Sequence, residues 1–237
     1  MYNFEIKNKS PNVGEIYIYG EITDEKWSDE HTTPKEILEK INTIKDVRDV
    51  YLYINSPGGS VYSGITIYNL LGRLNGKLTV IVDGIAASAA SVVAMAGKRV
   101  LMSTGSMMMI HEARSVVAGS SGDMRCAADV LDLCNSTMSD IYVKRTMLEK
   151  SKILELMKLE TWFDAESAVA NKFADAIEPG KKVSASIRGM GMDCNGIIFD
   201  TRKYKNFPKS SIPIDYSEYE NALDINVLFT QLEEGVL

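Results

Sequence analysis

The chain has 237 residues, 45% hydrophobic and 24% charged, enough for one sizeable core and at most one large domain with an appendage. This composition excludes a disordered, collagen-like or disulfide-scaffold chain. A net charge of −6, from 26 Lys and Arg against 32 Asp and Glu, argues against a nucleic-acid-binding module. No stretch approaches the roughly 18 apolar residues that span a bilayer, and Met1 to Val13 has no apolar signal-peptide core. No membrane partner and a cytoplasmic location are therefore expected. The three cysteines, Cys126, Cys134 and Cys194, are odd in number and show no C-x-x-C spacing, which argues against a disulfide framework or a Cys-based zinc site. With no metal-ligand cluster and no Walker A pattern, no cofactor is expected.

In chain order, Glu15–Gly20 and Asp49–Asn55 are rich in β-branched and aromatic residues and predict strands. Between them Thr33-Pro34-Lys35-Glu36 predicts a helix start: Thr33 caps, Pro34 fits the first helical position and Glu36 closes a capping box. Ile37, Leu38, Ile41 and Ile44 then share its inner face. His31, beside Asp29 and Glu30, is expected in an exposed polar loop. Ser63–Leu74 predicts a second helix with Ile67, Tyr68, Leu71 and Leu74 inward. Leu78–Asp83 is the apolar run of a strand buried on both faces. Ala87–Ala96 reads as a buried helix, and Arg99–Met102 and Met107–Ile110 as short strands. The alternation implies right-handed crossovers and a mostly parallel α/β sheet.

A Gly- and Ser-rich stretch at 115–122 precedes a long helix, expected at Asp123–Glu149, with Ala127, Leu131, Cys134, Met138, Ile141 and Leu148 at helical spacing. Its length suggests that it projects and packs against another subunit. A short helix at Ala165–Lys172 and an apolar segment at Phe173–Ile177 follow. After Pro179-Gly180 the composition shifts. Residues 181–209 hold seven Lys and Arg against two acids, and 210–237 hold six acids and no Lys or Arg. These features divide the chain into a domain at 1–178 and a C-terminal extension at 179–237, with a hairpin near Gly189–Asp200 and an amphipathic tail helix near Glu218–Glu233. The charge runs read as solvated surface.

Three segments could carry chemistry. Asn55-Ser56-Pro57-Gly58-Gly59-Ser60 follows a strand and precedes a helix; its paired glycines allow a sharp turn with open amide groups, or simply make a turn. Gly84-Ile85-Ala86-Ala87-Ser88-Ala89-Ala90 also leads a buried strand into a helix. Ser88 there is either an N-cap or a hydroxyl at a helix N-terminus that favours a developing anion. Ser91 is a rival hydroxyl inside the helix. Met109-Ile110-His111-Glu112 ends a strand at the same sheet edge, where sites of parallel α/β folds collect.

The ordered set N-S-P-G-G, G-x-A-A-S, M-I-H and an acid before an A-x-x-A-V helix, with thirty residues from Gly58 to Ser88, resembles the ClpP family of serine peptidases (peptidase S14) over about residues 14–178. The resemblance implies a ClpP/crotonase-like fold of repeated β-β-α units with a projecting handle helix. It implies Ser88 as nucleophile, His111 as general base, and the Gly59 and Ala89 amides as oxyanion hole. A serine is a weak nucleophile until an imidazole takes its proton, and each oxyanion donor is worth about 3 kcal/mol. The handle would be Asp123–Glu149 and the strand beside it Ser115–Gly122. The usual aspartate falls at Glu160, one methylene longer; Asp164 is the rival acid, better explained as an N-cap. A neutral His111 base predicts activity falling through a pKa near 6.5 when unperturbed, and a profile flat to about pH 5 would count against it.

Glu160-Thr161-Trp162, the D-x-x-x-Y-K-N-F-P stretch at Asp200–Pro208, the short segment before the first strand and the C-terminal extension look like the ClpP-related head-maturation proteases of phages and prophages. The resemblance thus implies homo-oligomeric, heptameric and stacked rings acting on capsid or scaffold polypeptide, with dependence on an ATP-driven unfoldase left open. Three other readings stay open. One is acyl-CoA chemistry on a crotonase-like fold. Another is a catalytically silent phage-head subunit in which Trp162 holds Glu160 out of position. The third is a Ser–Lys site using Lys77 or Lys98.

Overall fold

The computed structural model describes residues 12–44, 47–74, 76–182, 185–188, 191–194 and 197–208. The sheet runs through β1 (Val13–Ile22), β2 (His31–Thr32), β3 (Asp49–Gly59), β4 (Leu78–Ala87), β5 (Arg99–Thr104), β6 (Met107–Ile110), β7 (Thr161–Asp164) and β8 (Ala176–Lys182). Its order is β2-β1-β3-β4-β5-β8, with β6 on β4 and β7 on β6. Every pairing is parallel except β6 with β7, so the expected mostly parallel α/β architecture is the one formed.

The helices are α1 (Pro34–Thr43), α2 (Val61–Gly72), α3 (Ala89–Ala94), α4 (Ser121–Thr146), α5 (Lys150–Lys158) and α6 (Ala165–Ala170). Thr33 and Glu36 form the capping box at the start of α1. Ile37, Ile41 and Ile44 are buried, but Leu38 is exposed, because it stands one residue off the inward stripe. On α2, Ile67 and Leu71 enter the core with Leu74 just beyond. Gly64 lets α2 approach α3; a Cβ there would sit 2.9 Å from that of Ala89. His31 lies half-buried in β2, paired with Glu21, rather than in an exposed loop.

β4 positions the site. Its first half pairs with β5 (Thr79 with Arg99 to Val82 with Met102), and its last three residues leave β5 and pair with β6 (Ile85 with Met107 to Ala87 with Met109). The register with β3 shifts at the same place, where the Asn55 side-chain oxygen accepts from the Ile85 amide at 3.2 Å. A strand that changes neighbours in mid-course brings its own end beside the end of β6.

The long helix differs from expectation at both flanks. It ends at Thr146, because Met147 adopts φ 59° and returns its N–H to the Val143 carbonyl at 2.8 Å, a left-handed helix stop. Glu149 then becomes the N-cap position of α5, a helix the apolar spacing did not isolate. The strand expected at Ser115–Gly122 does not form: residues 115–120 lie exposed and pair with no strand among the described residues, and 121–122 open α4. The front of α4 does project: burial begins only at Cys134, while Met124, Val130 and Leu133 are exposed. β7, also not anticipated, is too short and too mixed in polarity to show a strand period.

Beyond β8, β9 (Ala185–Arg188), β10 (Gly191–Cys194) and β11 (Ile197–Asp200) form an antiparallel sheet, β10 and β11 making the hairpin expected near Gly189–Asp200. A single 3-10 turn, Thr201–Lys203, follows. The tail helix near Glu218–Glu233 lies outside the described residues. Among the described residues no helix is long and apolar enough to cross a membrane, and no three potential metal ligands converge.

Thr33→Ala removes one half of the capping box and should cost about 1 kcal/mol. The expected readout is a lower denaturant midpoint with an unchanged slope; an unchanged midpoint would show that α1 is held by packing alone.

Candidate active site

Ser88 stands at the turn from β4 into α3 with φ 54° and ψ −126°. Its side chain makes no capping hydrogen bond, which corrects the N-cap alternative. Such a backbone costs of order 1–3 kcal/mol and persists only where its surroundings enforce it. Here the Ser88 N–H donates to the Met109 carbonyl at 2.9 Å, and its carbonyl accepts from the Ser91 N–H at 2.9 Å. Gly58 presses on the turn from β3: a Cβ there would meet the Ala87 oxygen at 2.5 Å and the Ser88 Cβ at 2.8 Å.

The result is an outward hydroxyl at a sharp strand-to-helix turn. Its Oγ lies 2.7 Å from Nε2 of His111. His111 follows the last residue of β6, and because Ala87 pairs with Met109, the two strand ends deliver serine and imidazole to one place. Ser91 is elsewhere engaged: its buried hydroxyl donates to the Ser88 carbonyl at 2.6 Å and contacts the Tyr142 hydroxyl at 2.8 Å. Lys77 donates to the Val47 carbonyl at 2.9 Å, and Lys98 lines a separate groove with Met95, Ile141 and Lys144, so neither lysine approaches Ser88.

Ala89 opens α3, where first-turn amides have no intrahelical acceptor. Gly59 is reached through Gly58 at φ 91° and is itself at φ 141°, backbone that side-chain-bearing residues rarely adopt. The neighbouring Ser60 amide is spent on the Ile22 carbonyl at 2.8 Å. A cleft of about 480 Å³ opens alongside, lined by Gly59, Tyr62, Arg114, Ala127 and Val130 among others.

The two carboxylates separate clearly. Asp164 is exposed and caps α6, accepting from the Ser167 amide at 2.8 Å; it pairs with Met107, the far end of β6 from His111. Glu160 is buried at 3% exposure. The β6–β7 register pairs Ile110 with Thr161, so one further antiparallel step sets Glu160 opposite His111. Its carboxylate nevertheless does not bond the imidazole. Oε2 accepts from the Arg114 guanidinium, and Oε1 accepts from the Asn206 amide at 2.8 Å. His111 Nδ1 is buried without a hydrogen-bond partner among the described residues. The diverting groups are Arg114 and the 205–206 backbone; Trp162 instead packs edge-on against Tyr204 and Phe207.

The electrostatics follow this geometry. Burial, then the Arg114 charge, push His111 down to about 4 against the opposing pull of Glu160. Burial raises the Glu160 carboxyl, but the Asn206 and Lys205 amides and Arg114 outweigh it and hold the pKa below the ordinary carboxylate value. Sequence reasoning missed Arg114, three residues past His111; Asn55 stood in the N-S-P-G-G motif without a role of its own. Asn206 and Tyr204 fall in the Asp200–Pro208 stretch that it noticed but could not place.

A parallel α/β sheet whose strained strand-to-helix turn sets a serine against a histidine is the arrangement of a serine-type hydrolase. The chain belongs to the Clp protease family, whose family model matches residues 3–180. It is 30% identical over 161 residues to an ATP-dependent Clp protease proteolytic subunit 2 of Tropheryma whipplei, covering 67% of this chain and 87% of that relative. The Ligilactobacillus salivarius proteolytic subunit is 33% identical, with 57% of this chain and 70% of the relative covered. The Deinococcus radiodurans subunit is 32% identical over 55% of this chain, and this chain spans 65% of its length.

Because neutral imidazole is the basic form, a His111 held near 4 stays competent well below pH 6.5. Reactivity of Ser88 toward an organophosphonate should hold level from about pH 7 to about pH 5 and fall only on approaching 4. The midpoint near 6.5 expected of an unperturbed imidazole is thus shifted down by burial, and a measured midpoint near 6.5 would contradict the buried imidazole.

Proposed function

We propose that this chain is a serine endopeptidase of the ClpP type, with residues 1–178 as peptidase domain and 179–237 as extension. The 2.7 Å contact between Ser88 Oγ and His111 Nε2 at the strained turn, in a chain of the Clp protease family, carries the reading. Ser88 Oγ attacks the peptide carbonyl as Nε2 takes its proton. The Gly59 and Ala89 amides stabilise the oxyanion. Collapse expels the amine, which receives the proton from His111, and water then attacks the acyl-enzyme by the same route. Glu160 serves as the acid that orients His111 when it is released to Nδ1.

Subunits would assemble through the projecting α4 into heptameric rings that stack and admit polypeptide. The Asp200–Pro208 stretch and Glu160-Thr161-Trp162 support the finer reading of a prophage protease that processes capsid or scaffold protein. A second reading, a proteolytic subunit dependent on an ATP-driven unfoldase, is favoured by the names of the relatives. Activity on capsid precursor without nucleotide supports the first reading, and cleavage only with an ATPase supports the second. The engagement of Glu160 by Arg114 is what a silent subunit would also show.

Hydrolysis of an unfolded polypeptide decides whether the site is live. Wild type should cleave, and Ser88→Ala and His111→Ala should each lose at least about a hundredfold, the smallest loss expected when the acid is not engaged. A Ser88→Ala chain that cleaves at the wild-type rate would overturn the proposal.

A further inference from the structure

The segment after β11 returns to the site it is not expected to touch. Tyr204 donates to the Pro57 carbonyl at 3.2 Å, in the loop that carries Gly58 and Gly59. Tyr204 and Phe207 pack on Trp162 at centroid distances of 5.2 and 5.1 Å. Asn206 presents its N–H to Glu160 and its side-chain amide to the Leu159 carbonyl. Arg114 joins the two sides, bonding Glu160 through Nη2 and the Lys203 carbonyl through Nη1 at 3.0 Å. Two separated stretches of chain thus occupy both oxygens of one buried carboxylate, while the imidazole nitrogen one register step away is buried without a partner among the described residues.

From this geometry, and resting on the peptidase reading, we infer that Arg114 and the 200–208 segment form an autoinhibitory strap. It withholds Glu160 from His111, and its displacement activates the protease. A buried carboxylate needs compensating donors. The strap supplies them in the resting state, and His111 Nδ1–H supplies one when the strap leaves. Arg114 also places a cation beside the imidazole that must itself become cationic during acylation, which disfavours that step. The charged and titratable groups around Glu160 are Arg114, His111 and Tyr204. Arg114 is here a positioning residue, acting through Glu160.

The test uses the full chain with Arg114→Gln and, as a second route that leaves the charges intact, Phe207→Ala. The readouts are the rate of Ser88 phosphonylation and the NMR titration of His111. Both variants should react at least about tenfold faster, well inside the ~10⁴ that a triad acid contributes. In both, the His111 titration should move up from its resting value. Adding Glu160→Gln to Arg114→Gln should abolish the gain. Wild-type reaction with unchanged or slower variants and an unmoved titration would overturn the strap alone. No adduct on Ser88 in any chain, Arg114→Gln included, would overturn the peptidase reading and the strap together.

Discussion

The geometry of the site depends on one local constraint, the positive φ of Ser88. An L-residue held there is strained, and the strain is borne by contacts from two directions. β6 accepts the Ser88 amide through Met109, and β3 closes over the turn at Gly58, where no side chain fits. Those same contacts set the distances that matter. The Met109 bond fixes where His111 emerges, and the Gly58 approach puts the second glycine beside the start of α3. Relaxing the turn would part the Ser88 hydroxyl from the His111 imidazole.

Much of this was legible in the sequence because the relevant signals are local. Thr33-Pro34-Lys35-Glu36 carries its own capping chemistry, Leu78–Asp83 its own burial, and the paired glycines and Ser88 their own strand-to-helix context. The family resemblance joined Ser88, His111 and Glu160, and the structure sets the first two in contact. What stayed hidden is non-local. The transfer of β4 from β5 to β6 is a property of the assembled sheet, and the break at Met147 carries no Gly or Pro to mark it. The short β7, which sets Glu160 across from His111, has no period of its own.

The acid shows the limit most clearly. The alignment on the A-x-x-A-V helix points to Glu160, which lies one register step beyond the Ile110–Thr161 pair, while Asp164 caps α6. It gives no hint that Arg114 and Asn206 would claim the carboxylate, because an arginine three residues past a histidine and an asparagine in a distant extension have no shared pattern.

The proposed mechanism rests on Ser88 as an activated nucleophile. The most direct measurement is treatment of the full-length protein with a fluorophosphonate, followed by mass-spectrometric mapping of the modified peptide. A single covalent adduct on Ser88 is expected, lost in His111→Ala, since the hydroxyl reacts only when Nε2 can take its proton. A folded protein that yields no Ser88 adduct, or one whose adduct persists at the wild-type rate without His111, would contradict it.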